Sequence, residues 1–267
     1  MVFGDWMKNI CKIILCIFIC YLLIGIGWMS KDYIVHQMCK DGIPILGYHG
    51  VVSNQEKQEK YSHNQYFMSE SEFEKQMKYL YENNYQCLTM QNVNDYYHGK
   101  IDVDEKSVCL TFDDGYKNFN TVVKPILQKY HLKATCFVIG YKTTLHKSLY
   151  LEKEDLQNDE YVEYYSHSYN LHHIAHLPRQ KLIETLSVEE IADDFEANKD
   201  IVSSDYFAFP YGVSCKNAET YLKSSSVKLA FGYNQNRTMT TKDNQYLLPR
   251  YLVFSNIPMF IFEWWIE

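Results

Sequence analysis

The sequence predicts an α/β fold: a distorted (β/α)7-type barrel that follows an N-terminal transmembrane helix. Three observations lead to this prediction. From residue 43 onward, short apolar runs alternate with stretches of helical periodicity, which indicates parallel strands joined by right-handed crossovers. Roughly seven or eight such repeats occupy about 225 residues, which suits a barrel better than an open sheet. Residues 13–29 form an uncharged apolar run ahead of this pattern.

The N-terminal segment differs in composition from the rest of the chain. Lys8 and Lys12 precede residues 13–29, whose length is at the short end of what crosses a bilayer. A cleaved signal peptide is the alternative, but no small-residue cleavage pattern follows Met29. We therefore predict a membrane anchor at residues 1–30 and a linker at 31–42. The two lysines favour a cytoplasmic N-terminus and an extracellular domain, although Lys31 weakens this rule.

Composition limits the classes of function. The 267 residues allow one large domain or two small ones, and 46% hydrophobic residues are enough for a packed core. A formal net charge of -7 disfavours nucleic acid as a partner, because phosphate binding needs clustered Lys and Arg. Eight cysteines are scattered without a CxxC pair, so their spacing predicts no disulfide pairing.

The elements of the single domain, residues 43–267, are predicted in chain order. Residues 52–68 are polar and predict a long loop. Helices are predicted at 69–81, 117–130 and 187–202, because apolar residues recur at helical spacing; Ser69 with Glu72 and Ser187 with Glu190 form capping boxes. Short apolar runs predict strands at 43–49, 87–90, 108–112, 134–139, 162–166, 206–209, 228–231 and 252–254.

Two adjacent carboxylates, Asp113 and Asp114, follow the strand at 108–112. Placing two carboxylates together is costly unless a cation or a shared proton offsets their repulsion. An ordinary Asp-Asp-Gly turn before a helix explains the same residues.

Four histidines lie within ten residues: His167, His172, His173 and His176. Imidazole together with carboxylate suits zinc and its neighbours. A solvated histidine-rich loop is the alternative.

The strand at 206–209 ends in Pro210-Tyr211-Gly212. The backbone N–H groups of Tyr211 and Gly212 can point into a cleft and stabilise an oxyanion. Taken alone, this segment is better explained as an ordinary Pro-Tyr-Gly turn.

Together, TFDDG at 111–115, SHSYNLH at 166–172 and FPYG at 209–212 resemble the polysaccharide deacetylases of carbohydrate esterase family 4. The resemblance spans roughly residues 43–254. It implies a divalent metal, usually Zn²⁺, held by Asp114, His167 and His172. It also implies that Asp113 is the catalytic base and that the Tyr211 backbone N–H is an oxyanion donor.

Details of these motifs resemble one branch of the family, which deacetylates poly-β-1,6-N-acetylglucosamine. His167 and His172 are five residues apart rather than four, and Ala208 stands where many members carry an arginine that supports the base. The segments at 45–49, 73–80 and 248–250 also resemble this branch. On this resemblance we expect Tyr48, Pro210 and Tyr211 to contact substrate.

One departure concerns the general acid. Family members often carry a late Leu-x-His motif whose histidine protonates the leaving amine, and here no histidine follows His176. His49 ends the first strand, on the barrel face that carries the other reactive residues. We weigh His49 as the acid against a packing or substrate-contact role.

The resemblance implies N-deacetylation of an extracellular N-acetylglucosamine polymer by a membrane-anchored enzyme. Three alternatives stay open: a peptidoglycan deacetylase, a catalytically inactive carbohydrate-binding module, and a metal-free sugar-processing barrel that uses Asp113 and Asp114 as an acid–base pair. The last is disfavoured because adjacent residues rarely place carboxyls across a glycosidic bond at about 5–9 Å.

Overall fold

The computed structural model describes residues 14–15, 17–19, 31, 33–39, 41–175, 180–233 and 235–267. These belong to two compact units, Met1–Lys40 and Asp41–Glu267. The predicted anchor at 1–30 falls almost entirely outside the described residues, and no helix among those that are described is long and apolar enough to cross a bilayer. Within the predicted linker, residues 33–39 are helical.

The second unit carries strands and helices in alternation. Its strands are β1 (Ile45–Tyr48), β2 (Gly50–Val52), β3 (Phe67–Ser69), β4 (Gln86–Cys87), β5 (Ser107–Phe112), β6 (Ala134–Val138), β7 (Val162–Ser166), β8 (Tyr206–Ala208), β9 (Leu229–Gly232), β10 (Leu248–Pro249) and β11 (Tyr251–Leu252). Its helices are α1 (Asn54–Lys60), α2 (Glu70–Glu82), α3 (Met90–Tyr97), α4 (Lys124–Lys129), α5 (Gly140–Thr143), α6 (Val188–Asn198), α7 (Lys216–Ser224) and α8 (Met259–Ile266).

The main sheet is a nearly closed barrel of parallel strands, as predicted. Strands β1, β5, β6, β7, β8 and β9 pair side by side in that order. The segment from β10 to β11 joins the two ends, because β10 pairs with β9 and β11 pairs with β1. All these pairs are parallel, so the carboxyl ends of the strands lie on one face of the barrel.

The helix predictions are confirmed with two corrections. Both capping boxes, on Ser69 and Ser187, are present. The predicted loop at 52–68 instead contains α1, whose first turn is capped by the Ser53 side chain, and β3, which pairs with β2. The predicted helix at 117–130 begins as a π-helical turn, Phe119–Val123, before α4. Pro125, at the start of α4, lacks the N–H that a regular helical ladder needs there.

Arg250 lies between β10 and β11 and is fully buried. Its guanidinium donates two parallel hydrogen bonds to Asp113, Nη1 to Oδ1 at 2.8 Å and Nη2 to Oδ2 at 2.9 Å. Nη1 also donates to Thr111 Oγ1 at 3.1 Å, and the Thr111 hydroxyl donates to the Leu46 carbonyl. The segment from β10 to β11, which closes the barrel, is thus hydrogen-bonded to β5 through Arg250 and is linked through Thr111 to β1.

We expect Arg250→Met to lower the free energy of unfolding by roughly 3–5 kcal/mol, because it leaves the buried Asp113 carboxylate without its cation. Urea denaturation measures this loss. The matched control is Lys228→Met, whose ion pair with Asp205 is exposed on both sides and should change stability by at most about 1 kcal/mol.

The same pair predicts a pH dependence. Because the ion pair holds the pKa of Asp113 below its usual range, its stabilisation is complete above the unfolded value of about 3.9 and is lost as the pH falls below it. The stability difference between wild type and Arg250→Met should therefore shrink below about pH 4. A difference that stayed constant down to pH 3 would contradict this assignment.

Candidate functional site

A cleft of about 400 Å³ opens at the carboxyl ends of the barrel strands. It brings together residues from all three predicted motifs and from the end of β1. The first and last of these, His49 and Tyr211, are more than 150 positions apart in the sequence. Its walls include the predicted site residues His49, Asp113, Asp114, His167, His172 and Tyr211.

Asp114, His167 and His172 form a compact triad. The Nε2 atoms of His167 and His172 lie 3.6 Å and 3.5 Å from Asp114 Oδ1, and one ligand atom from each residue fits within a common distance of 4.8 Å. Asp114 and His167 are buried, whereas His172 is partly exposed to the cleft. One carboxylate and two imidazoles in this arrangement can hold a divalent metal with positions left open.

The chemical state of the triad fits a metal. His167 Nδ1 lies 2.8 Å from the Ala208 carbonyl, to which it can only donate, so the Nε2 lone pair faces Asp114. Burial lowers the pKa of His167 to about 3 and also lowers that of His172, so both imidazoles are neutral. Asp114 Oδ1 is buried and has no hydrogen-bond donor in the described part of the chain, which leaves it free to bind a cation.

Three non-glycine residues of the motifs around this cleft have left-handed backbone conformations: Asp114 (φ 75°), Ser168 (φ 69°) and Tyr211 (φ 59°). Each such residue costs about 1–3 kcal/mol and persists only where its surroundings enforce it. One falls in each of the three motifs. The strain is concentrated at the turns that direct reactive groups into the cleft.

Asp113 is held by more donors than the sequence suggested. Besides the two bonds from Arg250, Oδ2 accepts a hydrogen bond from the Tyr233 hydroxyl at 2.8 Å. Burial would raise the pKa of Asp113, but the positive charge of Arg250 outweighs it and sets the pKa well below the usual range. Asp113 is therefore ionised at any physiological pH.

His49 and Tyr211 both line the cleft. The His49 ring is 4.9 Å from the ring of Tyr66, and its buried Nδ1 has no hydrogen-bond partner among residues 41–175, 180–233 and 235–267. The Tyr211 ring packs 4.1 Å from that of His172, and the Lys181 amine lies 4.3 Å from the centre of the Tyr211 ring.

Two residues predicted to contact substrate, Tyr48 and Pro210, do not line the cleft. Tyr48 is 1% exposed, its ring stacks on Phe112 in the core, and its hydroxyl donates a hydrogen bond to Gln76. The reason is that its side chain points to the opposite face of β1 from Gly47 and away from the cleft. Pro210 is also buried and does not line the cleft. Of the other histidines, His173 is bonded to Asn170, and His176 lies outside the described residues.

Sequence reasoning missed Arg250, Tyr233 and an aromatic wall formed by Tyr66, Phe67 and Tyr116. The Arg250 segment was noted only for its resemblance to one branch. The alanine at 208 was a usable signal, because a base without its usual arginine needs another cation. The wall was missed because Tyr66 and Phe67 fall in the segment predicted as a polar loop.

Comparisons with known proteins agree with this geometry. Residues 100–230 match the family model for polysaccharide deacetylase. The poly-beta-1,6-N-acetyl-D-glucosamine N-deacetylase of Staphylococcus aureus is 27% identical over 199 residues, which cover 70% of this chain and 68% of that protein.

Two solved structures share the fold. The Streptococcus pyogenes deacetylase PplD, determined with acetate, superposes with a TM-score of 0.72 at 22% identity, over 85% of this chain and 98% of that one. IcaB from Ammonifex degensii gives a TM-score of 0.68 at 23% identity, over the same shares of the two chains.

The triad predicts that the protein binds one divalent ion through His172 and not His173. We expect His172→Ala to lose most bound metal, because it removes one of three ligands, and His173→Ala to retain it. Elemental analysis of both purified variants measures the metal-to-protein ratio. Full retention in His172→Ala with loss in His173→Ala would show that the wrong histidine was assigned.

Proposed function

The chain belongs to the polysaccharide deacetylase family, whose members hydrolyse N-acetyl amide bonds, and we propose that its substrate is extracellular poly-β-1,6-N-acetylglucosamine or a closely similar polymer. The observation that carries the proposal is the triad of Asp114, His167 and His172 beside the Arg250-bound Asp113 in one cleft. The name of the S. aureus relative and the five-residue spacing of the two histidines support this polymer over peptidoglycan.

The triad would hold the metal, for which we propose Zn²⁺. Bound there, it would polarise the acetyl carbonyl and lower the pKa of water. The imidazole donors and the single carboxylate suit zinc better than the all-oxygen sites that magnesium and calcium prefer. The Ala208 carbonyl fixes His167 in the tautomer that presents Nε2 as a ligand.

Asp113 accepts the proton of the attacking water. Arg250 and Tyr233 occupy its two oxygens, so the carboxylate is fixed in place and always ionised, but its proton affinity is low. A base of such low pKa is effective only toward a water that is already acidified. This requirement makes Asp113 depend on the neighbouring triad for its function.

The remaining residues act on the tetrahedral intermediate and the leaving group. The Tyr211 backbone N–H, at the turn after β8, donates to the developing oxyanion. His49 donates a proton to the amide nitrogen as the carbon–nitrogen bond breaks, and acetate and a glucosamine amine leave. Among the described residues that line the cleft, His49 is the histidine outside the triad, which supports this role.

The aromatic wall supports a sugar as the substrate. Tyr66, 42% exposed, lies beside His49, and Phe67, 4% exposed, packs against Tyr116; all three line the cleft. Aromatic rings offer apolar faces of the size of a pyranose ring together with polar edges. A carbohydrate-binding module without activity would also use such a wall, and acetate release distinguishes the two.

We expect Asp113→Asn to reduce acetate release about 10²–10⁴-fold with metal still bound, because it removes the base and not a ligand. Asp114→Asn should lose metal as well as activity. Acetate is measured on poly-N-acetylglucosamine, peptidoglycan and chitin oligomers in parallel, with metal content determined on each variant. Near wild-type turnover by Asp113→Asn with metal in place would exclude Asp113 as the base.

We also propose that residues 1–30 anchor the protein, with the barrel outside the cell. The uncharged run at 13–29 and the lysines before it support this. The protein should fractionate with membranes, and protease added to intact cells should cleave the domain. A mature N-terminus located after residue 25 by mass spectrometry would contradict an uncleaved anchor.

A further inference from the structure

Two of the three triad residues, His167 and His172, lie on one short loop that follows β7. Ser168, next to the first of them, holds the left-handed conformation described above. A strained loop keeps two imidazoles in a fixed relative position only if contacts from other parts of the protein hold its backbone. The contacts of residues 168–171 therefore determine the geometry of the triad.

Asp194, on α6, holds the amide side of the loop. Its Oδ1 accepts the Tyr169 N–H at 2.8 Å, and its Oδ2 accepts the Asn170 N–H at 2.7 Å. The side chain is buried, with the residue 8% exposed. A carboxylate that receives two successive backbone donors fixes both the position and the orientation of the peptide between them.

The start of α5 holds the carbonyl side of the same loop. The Gly140 N–H donates to the Ser168 carbonyl at 3.1 Å, and the Tyr141 N–H donates to the Tyr169 carbonyl at 2.9 Å. Within the loop, the Ser168 hydroxyl accepts the Leu171 N–H at 3.1 Å. The peptide groups between the two histidines are thus bonded to two helices that contribute no triad ligand.

Asn198, one turn further along α6, completes the support. Its amide donates to Ser166 Oγ at 2.8 Å, and that hydroxyl accepts the Ser168 N–H at 3.2 Å. Gly140 is required opposite it, because a Cβ there would lie 1.8 Å from Asn198 Oδ1 and 3.2 Å from the Tyr169 ring.

We propose that Asp194 is a positioning residue that sets the affinity of the triad for its metal by holding His167 and His172 at binding distance. The inference rests on the proposed metal site and adds a residue that touches neither metal nor substrate. Loss of Asp194 allows the loop to relax from its strained conformation, which separates the imidazoles. Loss of such outer contacts weakens metal affinity by about 10–100-fold.

The test compares Asp194→Asn with Asp193→Asn, which removes the same charge from an exposed position on the same helix. Zn²⁺ affinity is measured on the purified proteins by competition with a chromophoric chelator, and acetate release is measured at increasing free Zn²⁺. We expect Asp194→Asn to raise the dissociation constant 10–100-fold and to recover much of its activity at saturating Zn²⁺. Asp193→Asn should match the wild type.

A role limited to stability would give a different pattern. Thermal melting of the metal-free proteins monitors folding, and a lower melting temperature with a Zn²⁺ dissociation constant within twofold of wild type would overturn the inference. If Asp194→Asn fails to fold, Gly140→Ala tests the same loop from its other side and should weaken Zn²⁺ binding in the same direction. Unchanged affinity in that variant would also overturn it.

The proposed function and this inference fail in distinguishable ways. If the wild-type protein bound no Zn²⁺, the proposed metal site would be overturned, and the inference about Asp194 with it. A wild-type protein that bound Zn²⁺ and released acetate, with Asp194→Asn equal to it in affinity, would leave the function intact and overturn the role of Asp194 alone.

Discussion

The buried ion pair between Arg250 and Asp113 is the interaction on which the site depends. Two adjacent carboxylates at the end of β5 would repel each other, and burial would drive protons onto both. Arg250 stabilises the ionised form of Asp113 by donating a hydrogen bond to each of its two carboxylate oxygens. Asp113 thus has a donor on each oxygen, whereas the buried Oδ1 of Asp114 has no donor among the described residues, so the two adjacent aspartates lie in different environments.

The parallel barrel makes this arrangement possible. Its strands bring their carboxyl ends to one face, where His49 after β1 and residues in the turns after β5, β7 and β8 line the cleft. Three of these turns hold a non-glycine residue at positive φ. At the loop after β7, two helices outside the barrel hold the strained backbone in place. The Asp194 side chain on α6 and the N–H groups at the start of α5 bond its peptide groups, and neither helix contributes a ligand.

The triad was predicted from the resemblance of its motifs to those of polysaccharide deacetylases. The barrel and both capping boxes could be predicted from local patterns, because each depends on residues close together in sequence or on strands that must end on one face. Arg250 and Tyr233 could not, since their contacts with Asp113 span 137 and 120 positions and leave no periodic signal. Tyr48 was misassigned for a related reason: one step along a strand reverses the face of a side chain. The helix α1 and part of the aromatic wall were not predicted, because the polar segment at 52–68 has no apolar periodicity.

The closure of the barrel by a late segment has a consequence for the order of events during biosynthesis. A chain made from its N-terminus exposes Asp113 and Asp114 long before Arg250 follows, 137 residues later. Until that segment inserts between β9 and β1, the paired carboxylates lack their cation and the barrel keeps two open edges. Contacts this distant form late in folding. The site around Asp113 is therefore complete only once the last strand has docked.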